Sequence, residues 1–233
     1  MRTSIKSKLL AVTFAALGLS ACGAAGVLGV LGGPSTTIAG ACAQSLDVGI
    51  INSCVVAAGK LWRGAAPTVE GAATLANLGV KSIVNLELIF DDRGTFESSK
   101  PAVSLTTEIQ YFRLRDWEPL VVLAPSILDE TVAKFIALTR SAPLPLYVHC
   151  RSGQNRTGVM VAAYRVFNGM PIEEAIAEMG RYKGIWFDSD AVYIRTLTAD
   201  RRALLEPKIN AAITSMSRYA LIKCAQGACV VGP

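Results

Sequence analysis

Of the 233 residues, 52% are hydrophobic and 18% charged, which excludes a disordered or fibrous chain and leaves room for one domain with a substantial core. The formal charge is +5, but Arg2, Lys6 and Lys8 fall in the first 21 residues with no acidic partner, so the remainder carries 20 − 18 = +2. That charge is too small and too scattered for a nucleic-acid binder, while it tolerates an anionic substrate.

In chain order, residues 1–21 read as an export signal: a basic start, then an apolar stretch from Leu9 to Leu19 that is short for a membrane span. Leu19-Ser20-Ala21-Cys22 resembles the lipobox of bacterial lipoproteins. The resemblance implies cleavage before Cys22 and acylation of Cys22, which would anchor the chain to a membrane. Gly23 follows rather than aspartate, which directs the expectation to the outer membrane, on its periplasmic side. The alternative is an ordinary secretory signal cut near residues 41–43.

Residues 22–54 begin with a Gly- and Ala-rich stretch and read as a tether. Residues 55–207 read as a single catalytic domain and 208–233 as a C-terminal extension. Cys42, Cys54, Cys224 and Cys229 form an even set in an exported chain and suit two disulfides. The local pairing joins Cys42 to Cys54 and Cys224 to Cys229; crossed pairings stay open. With a single histidine in the chain, a zinc site lacks spare ligands, so neither a metal nor a cofactor is expected.

Leu61–Arg63 starts like a strand, and Thr68 is placed to cap a helix that closes at Gly79. Lys81–Leu86 reads as a strand, residues 91–106 as a polar loop, and Tyr111–Leu114 as another strand. Pro125–Arg140 is helical, with Ile127, Leu128, Val132, Phe135 and Ile136 as its stripe. A short apolar run over Leu144–Val148 precedes helices over Thr157–Phe167, Ile172–Met179 and Asp188–Leu205. The alternation predicts an α/β fold: a central, mostly parallel sheet flanked by helices. Ligands of such sheets bind at the carboxyl ends of the strands.

The chemistry concentrates in His149-Cys150-Arg151-Ser152-Gly153-Gln154-Asn155-Arg156-Thr157-Gly158, between strand and helix. A thiol attacks as its thiolate, and unpaired N–H groups at a helix N-terminus favour that charge. Gly153 lets the loop from Arg151 to Asn155 curl its amides around one centre, the size of a tetrahedral oxyanion. Arg156 can grip two phosphate oxygens with its planar fork. Thr157 can donate toward the sulfur, and His149 can support the backbone of Cys150. Such a site binds a phosphate group and aims a nucleophile at its phosphorus, with no metal.

This ten-residue stretch resembles the signature loop of protein tyrosine and dual-specificity phosphatases, and residues 61–87 resemble the opening of the small bacterial, plant and fungal members. The resemblance implies a tyrosine-phosphatase-like domain, a cysteinyl-phosphate intermediate, and an aspartate acid from an upstream loop. Asp116, 34 residues before Cys150, fills that place, with Glu118 as the alternative. Asp91 and Asp92 read as solvated, Arg63 and Arg151 as anion helpers or surface charges, Trp62 and Trp186 as packing residues.

The expected partner is a phosphorylated protein or a small phosphorylated molecule. Phosphotyrosine and phosphoserine or phosphothreonine proteins form one substrate class, and inositol phosphates or pyrophosphates the other. Many plant and fungal members that take inositol pyrophosphates carry lysine where Gln154 stands here. A rhodanese-like sulfurtransferase does not require Arg156-Thr157-Gly158, and a non-catalytic phospho-binding lipoprotein would not need both Cys150 and Arg156.

Overall fold

The computed structural model describes residues 42, 45, 46 and 49–233. The signal at 1–21, the lipidation site Cys22 and most of the tether lie outside the described residues.

Among the described residues seven strands form one sheet: β1 (Cys54–Ala57), β2 (Leu61–Ala65), β3 (Ser82–Glu87), β4 (Thr107–Asp116), β5 (Leu146–Cys150), β6 (Ala220–Ala225) and β7 (Ala228–Gly232). Their order is β1-β2-β5-β3-β4-β6-β7. The four inner strands β2, β5, β3 and β4 run parallel. Antiparallel partners close both edges, β1 on one side and the β6–β7 hairpin on the other. This is the expected α/β sheet with its parallel centre.

Eight helices among the described residues accompany it: α1 (Val69–Asn77), α2 (Arg93–Glu97), α3 (Leu120–Leu123), α4 (Pro125–Ser141), α5 (Asn155–Phe167), α6 (Ile172–Gly180), α7 (Phe187–Arg195) and α8 (Ala199–Ser215). Side chains that alternate along a strand point to opposite faces. Val84, Leu86, Leu146 and Val148 accordingly join one core with α4 and α5 residues, while Ile83 and Tyr147 join a second core with Leu75 and Phe96. Buried on both faces, the centre of β5, Leu146-Tyr147-Val148, reads as a short apolar run.

Local expectations hold at α1. The Thr68 hydroxyl accepts the Gly71 N–H at 3.1 Å, and Gly79 follows the helix at φ +80. Three expectations need correction. The helix expected over Asp188–Leu205 is two helices, because the Thr198 hydroxyl accepts the Arg201 N–H at 3.3 Å and starts α8. That helix runs past Leu205 with Pro207 inside it; buried Ile209 and Ala212 extend its packed face and offset the missing N–H. The polar stretch 91–106 contains α2, nailed down by fully buried Phe96.

Packing also begins before residue 55 and continues after 207. Leu46 and Ile50 are buried in the second core, and the Ala65 N–H donates to the Ile51 carbonyl at 3.0 Å. Residues 220–232 supply two strands of the sheet. Cys42 is bonded to Cys54, and Cys224 to Cys229, leaving Cys150 as the free cysteine among the described residues. No helix among the described residues is long and apolar enough to cross a membrane.

Candidate active site

The carboxyl ends of the four parallel strands meet at one edge of the sheet, and each delivers a piece of the site. β5 ends at Cys150, which is buried. β2 ends at Ala65, the register partner of Cys150. β3 ends at Glu87, and β4 at Asp116. Between Asn85 and Glu87 the register with β4 shifts by one residue, so that Arg113 and Asp116 become the partners. Arg115 absorbs the extra residue at φ +51, a bulge that re-aims the strand end at Asp116.

From Cys150 the chain turns through Arg151–Gln154 into α5. Gly153 sits at φ +70, and a Cβ there would lie 2.6 Å from Gly64 C and 2.7 Å from Ala65 N. Only glycine lets the loop lie this close on the end of β2. The loop carbonyls are all engaged by groups around it. The Arg151 carbonyl accepts from the Ala66 N–H at 3.4 Å, the Ser152 carbonyl from Asn52 Nδ2 at 2.7 Å, and the Gly153 carbonyl from Arg63 Nη2. The Gln154 carbonyl accepts from the Gly158 N–H at 2.7 Å. Among the described residues, no protein acceptor takes the amide hydrogens of Ser152, Gly153 or Gln154.

Arg156, on the first turn of α5, reaches across the ends of β3 and β4. Its Nη2 donates to Glu87 Oε1 at 3.2 Å, its Nη1 approaches the Asp116 carbonyl at 3.4 Å, and its Nε lies 3.6 Å from Glu118 Oε1. Asp116, Glu118, Arg156 and Asp190 line a common narrow cavity. Burial pushes the Asp116 carboxyl up to about 7; the charges of Glu118 and Asp190 add to the rise and Arg156 opposes it. Burial likewise raises Asp190 to about 6, against the Asn155 Nδ2 donor 2.9 Å away. A carboxyl protonated near neutrality, beside the arginine that would hold a phosphate, can donate a proton to a leaving oxygen.

The other loop residues divide by exposure. Arg151 is exposed and Ser152 and Gln154 are half-buried, with Gln154 Nε2 donating to the Lys183 carbonyl at 3.2 Å. Thr157 is fully buried, and its hydroxyl has no partner among the described residues. His149 is fully buried, stacked on Tyr147 with ring centroids 5.6 Å apart. Its Nε2 lies 3.2 Å from Asp92 Oδ2.

That contact corrects the reading of Asp92 as solvated. Asn85 Nδ2 and the Tyr111 hydroxyl both donate to its Oδ1, so the carboxylate is held at the site rather than left in solvent. Arg63 is not a surface charge either: its side chain is fully buried, with the guanidinium 3.9 Å from the Tyr182 ring centroid. Neither Arg113 nor Arg115 neutralises Asp116; Arg113 instead donates to the carbonyls of Glu87 and Phe90. Glu87, Asn52 and Asp190 were invisible in the sequence because each acts on the loop from a remote element.

Comparison with known proteins gives the arrangement a family. Residues 54–190 match the family model described as "DSP-PTPase phosphatase fused to NAD+ Kinase". The dual specificity protein phosphatase TpbA of Pseudomonas aeruginosa is 31% identical over 189 residues, covering 76% of this chain and 79% of the relative. The crystal structure of P. aeruginosa TpbA superposes with a TM-score of 0.55 at 24% identity, over 76% of this chain and 99% of that one. The core catalytic domain of the PP-IP phosphatase SIW14 from S. cerevisiae superposes with a TM-score of 0.52 at 16% identity, over 72% and 97%. At those identities the two superpositions speak to the fold, while the family match covers more than half of the chain and falls on the segment that carries the cysteine loop. The chain therefore belongs to the dual-specificity-phosphatase-like family of phosphatases.

Proposed function

We propose that this phosphatase hydrolyses phosphotyrosine in proteins through a cysteinyl-phosphate, with Cys150 as nucleophile, Asp116 as general acid, and Arg156 with the loop amides as the phosphoryl cradle. The observation that carries the proposal is the loop itself: three consecutive carbonyls, of Arg151, Ser152 and Gly153, are engaged from outside, and the amides that follow them are left without protein acceptors among the described residues. In the first step the Cys150 sulfur bonds to phosphorus as the P–O bond to the leaving group breaks. Asp116 gives its proton to that oxygen. In the second, the Asp116 carboxylate takes a proton from water, whose oxygen bonds to phosphorus as the S–P bond breaks, releasing phosphate.

The walls favour an aryl ester. The hollow on one side of the loop is lined by Ala66, exposed Phe90 and Arg151, and the other by Lys183, Gly184 and almost fully exposed Ile185. An aromatic ring finds apolar contact on both. The cations lining these hollows are Arg151, Arg156 and Lys183, opposed by Glu87, Asp92 and Glu118. An inositol pyrophosphate, with many more negative charges, would meet too few cations and several carboxylates. TpbA, the Pseudomonas relative, has been crystallised in complex with pTyr.

Assayed without added metal, the chain should hydrolyse phosphotyrosyl peptides with kcat/KM at least about tenfold above phosphoseryl peptides and inositol pyrophosphates. Equal or better turnover of the inositol esters would reverse the substrate assignment.

For location, we infer that Cys22 carries lipid and holds the domain at the periplasmic side of the outer membrane. The two cystines support an oxidising compartment. Cys22→Ser should move the protein from the membrane fraction to the soluble fraction; an unchanged membrane fraction would reject the lipid anchor.

A further inference from the structure

The cysteine loop does not hold its own shape. Peptide units are planar and trans, so the carbonyl of one residue and the N–H of the next point in opposite directions. Fixing a loop carbonyl outward therefore fixes the following N–H inward. By this rule Ala66, through the Arg151 carbonyl, orients the Ser152 amide. Asn52, through the Ser152 carbonyl, orients the amide of Gly153. Arg63, through the Gly153 carbonyl, orients the amide of Gln154. The first of these contacts is long, at 3.4 Å. The other two are made by side chains from outside the loop.

We propose that Asn52 and Arg63 are positioning residues that set the phosphate cradle, each turning one loop peptide so that its N–H faces the substrate, with Arg63 also supplying a buried cation behind it. The proposal rests on the reading of this loop as a phosphate site.

Both residues are rigidly placed. Asn52 adopts φ +54, a conformation asparagine tolerates better than most residues. The Ile51 carbonyl before it is tied to the Ala65 N–H, and Cys54 after it is tied to Cys42. Arg63 is the register partner of Cys54 and lies within β2, its guanidinium stacked on Tyr182. Tyr182 belongs to the segment whose next carbonyl, that of Lys183, accepts from Gln154. The stacking thus locks the cation between the sheet and the far wall of the site.

Arg63 has no use as an ion-pair partner. Among the described residues no carboxylate lies within ion-pair distance of it, and its Nε and Nη1 have no hydrogen-bond partner. Burial works against its charge and pushes its pKa below the usual arginine value, while negative charge on Tyr182, Cys150 and Glu178 would favour it. Burying an unpaired cation is costly. A site that receives a dianion offsets that cost, whereas a purely structural role would leave it uncompensated.

The test uses the full chain with Asn52→Asp, Asn52→Gly, Arg63→Met and Arg63→Lys, beside Ile109→Val, a buried change in the second core. Tungstate, a tetrahedral dianion, is the probe, with affinity read by calorimetry; kcat and KM are read on p-nitrophenyl phosphate and stability by melting. Asn52→Asp keeps the shape, removes the donor and adds a negative charge, so it is read beside Asn52→Gly, which suits the φ of +54 and removes the donor alone. Each should weaken tungstate about tenfold or more and lower kcat by a similar factor, a larger change than in KM. Arg63→Met should do at least as much, and Arg63→Lys should recover part of it, since lysine keeps one donor and the charge. Ile109→Val should lower the melting temperature without moving either constant. If the folded Asn52 and Arg63 variants keep tungstate affinity and kcat within about twofold of the parent and only melt earlier, the two residues are structural and the proposal is overturned. Should Arg63→Met fail to fold, Asn52→Asp and Arg63→Lys decide. Tungstate binding without any turnover by the parent chain would reject the catalytic assignment and leave the cradle testable; absence of tungstate binding by the parent would reject both.

Discussion

Cys150→Ser should lower turnover of p-nitrophenyl phosphate by on the order of 10⁴-fold or more, with tungstate affinity within a few-fold of the parent. The two halves of that expectation test different parts of the site. A serine hydroxyl is far less acidic than a thiol, and β5 ends in an apolar core rather than beside a general base that could activate it. His149 does not supply one: it is stacked on Tyr147 and its Nε2 faces Asp92. In the proposed mechanism the anion cradle is made by loop amides and Arg156, which the substitution leaves in place. Turnover above ~1% of the parent rate would show that another group carries the chemistry. Loss of tungstate binding together with turnover would show that the cysteine shapes the loop rather than attacks.

Asp116→Asn should produce the second largest effect, and one that depends on pH and leaving group. As general acid, Asp116 must be protonated to act, and with its pKa near 7 the rate should decline as pH rises through about 7. The asparagine variant should lose this alkaline limb and turn over phosphotyrosine about 10²-fold more slowly. The loss should be smaller on p-nitrophenyl phosphate, whose leaving phenolate needs less help from an acid. Glu118→Gln should leave the limb in place; if it is Glu118→Gln that removes it, the acid is Glu118.

The same Asp116→Asn substitution should stabilise the fold. Buried Asp116 holds its proton up to about 7, against 3.8 for an ordinary aspartate. Between those values the folded chain binds the extra proton, so this residue's stabilising contribution is complete below about 4 and lost as pH rises through 7. The replacing asparagine carries no such charge, so at pH 8 the variant should melt higher than the parent, and at pH 4 by much less. A lower melting temperature at pH 8 would mean that Arg156 and the local hydrogen bonds outweigh the burial penalty. If Asp116 is the acid, the site keeps a carboxyl whose burial costs stability at the pH where it is needed.

How much of this was legible in the sequence follows from which interactions are local. Thr68 caps α1 and Gly79 ends it because a side chain three residues from its target, or a residue without a Cβ, needs no distant partner. Apolar strands alternating with helices set the α/β class, and the loop from Cys150 to Arg156 announced its chemistry because nucleophile, glycine turn and arginine lie within one short stretch. The split between α7 and α8 was harder, since one threonine cap competes with a helical pattern that continues on both sides.

By itself, then, the sequence determined the four parallel strands, helices α1, α4, α5 and α6, the cysteine loop and the position of Asp116 upstream of it, but not β1, α2, α3, the α7–α8 break or the β6–β7 hairpin. Tertiary structure alone decided what surrounds them. It buried Arg63, set Asp92 against His149, laid Glu87 under Arg156, and brought Asn52 from before the first strand to a loop carbonyl. The reason is that parallel strands far apart in the chain end at the same edge of the sheet, so the groups that tune a site there come from separate elements, and no spacing in the sequence records which of them will meet.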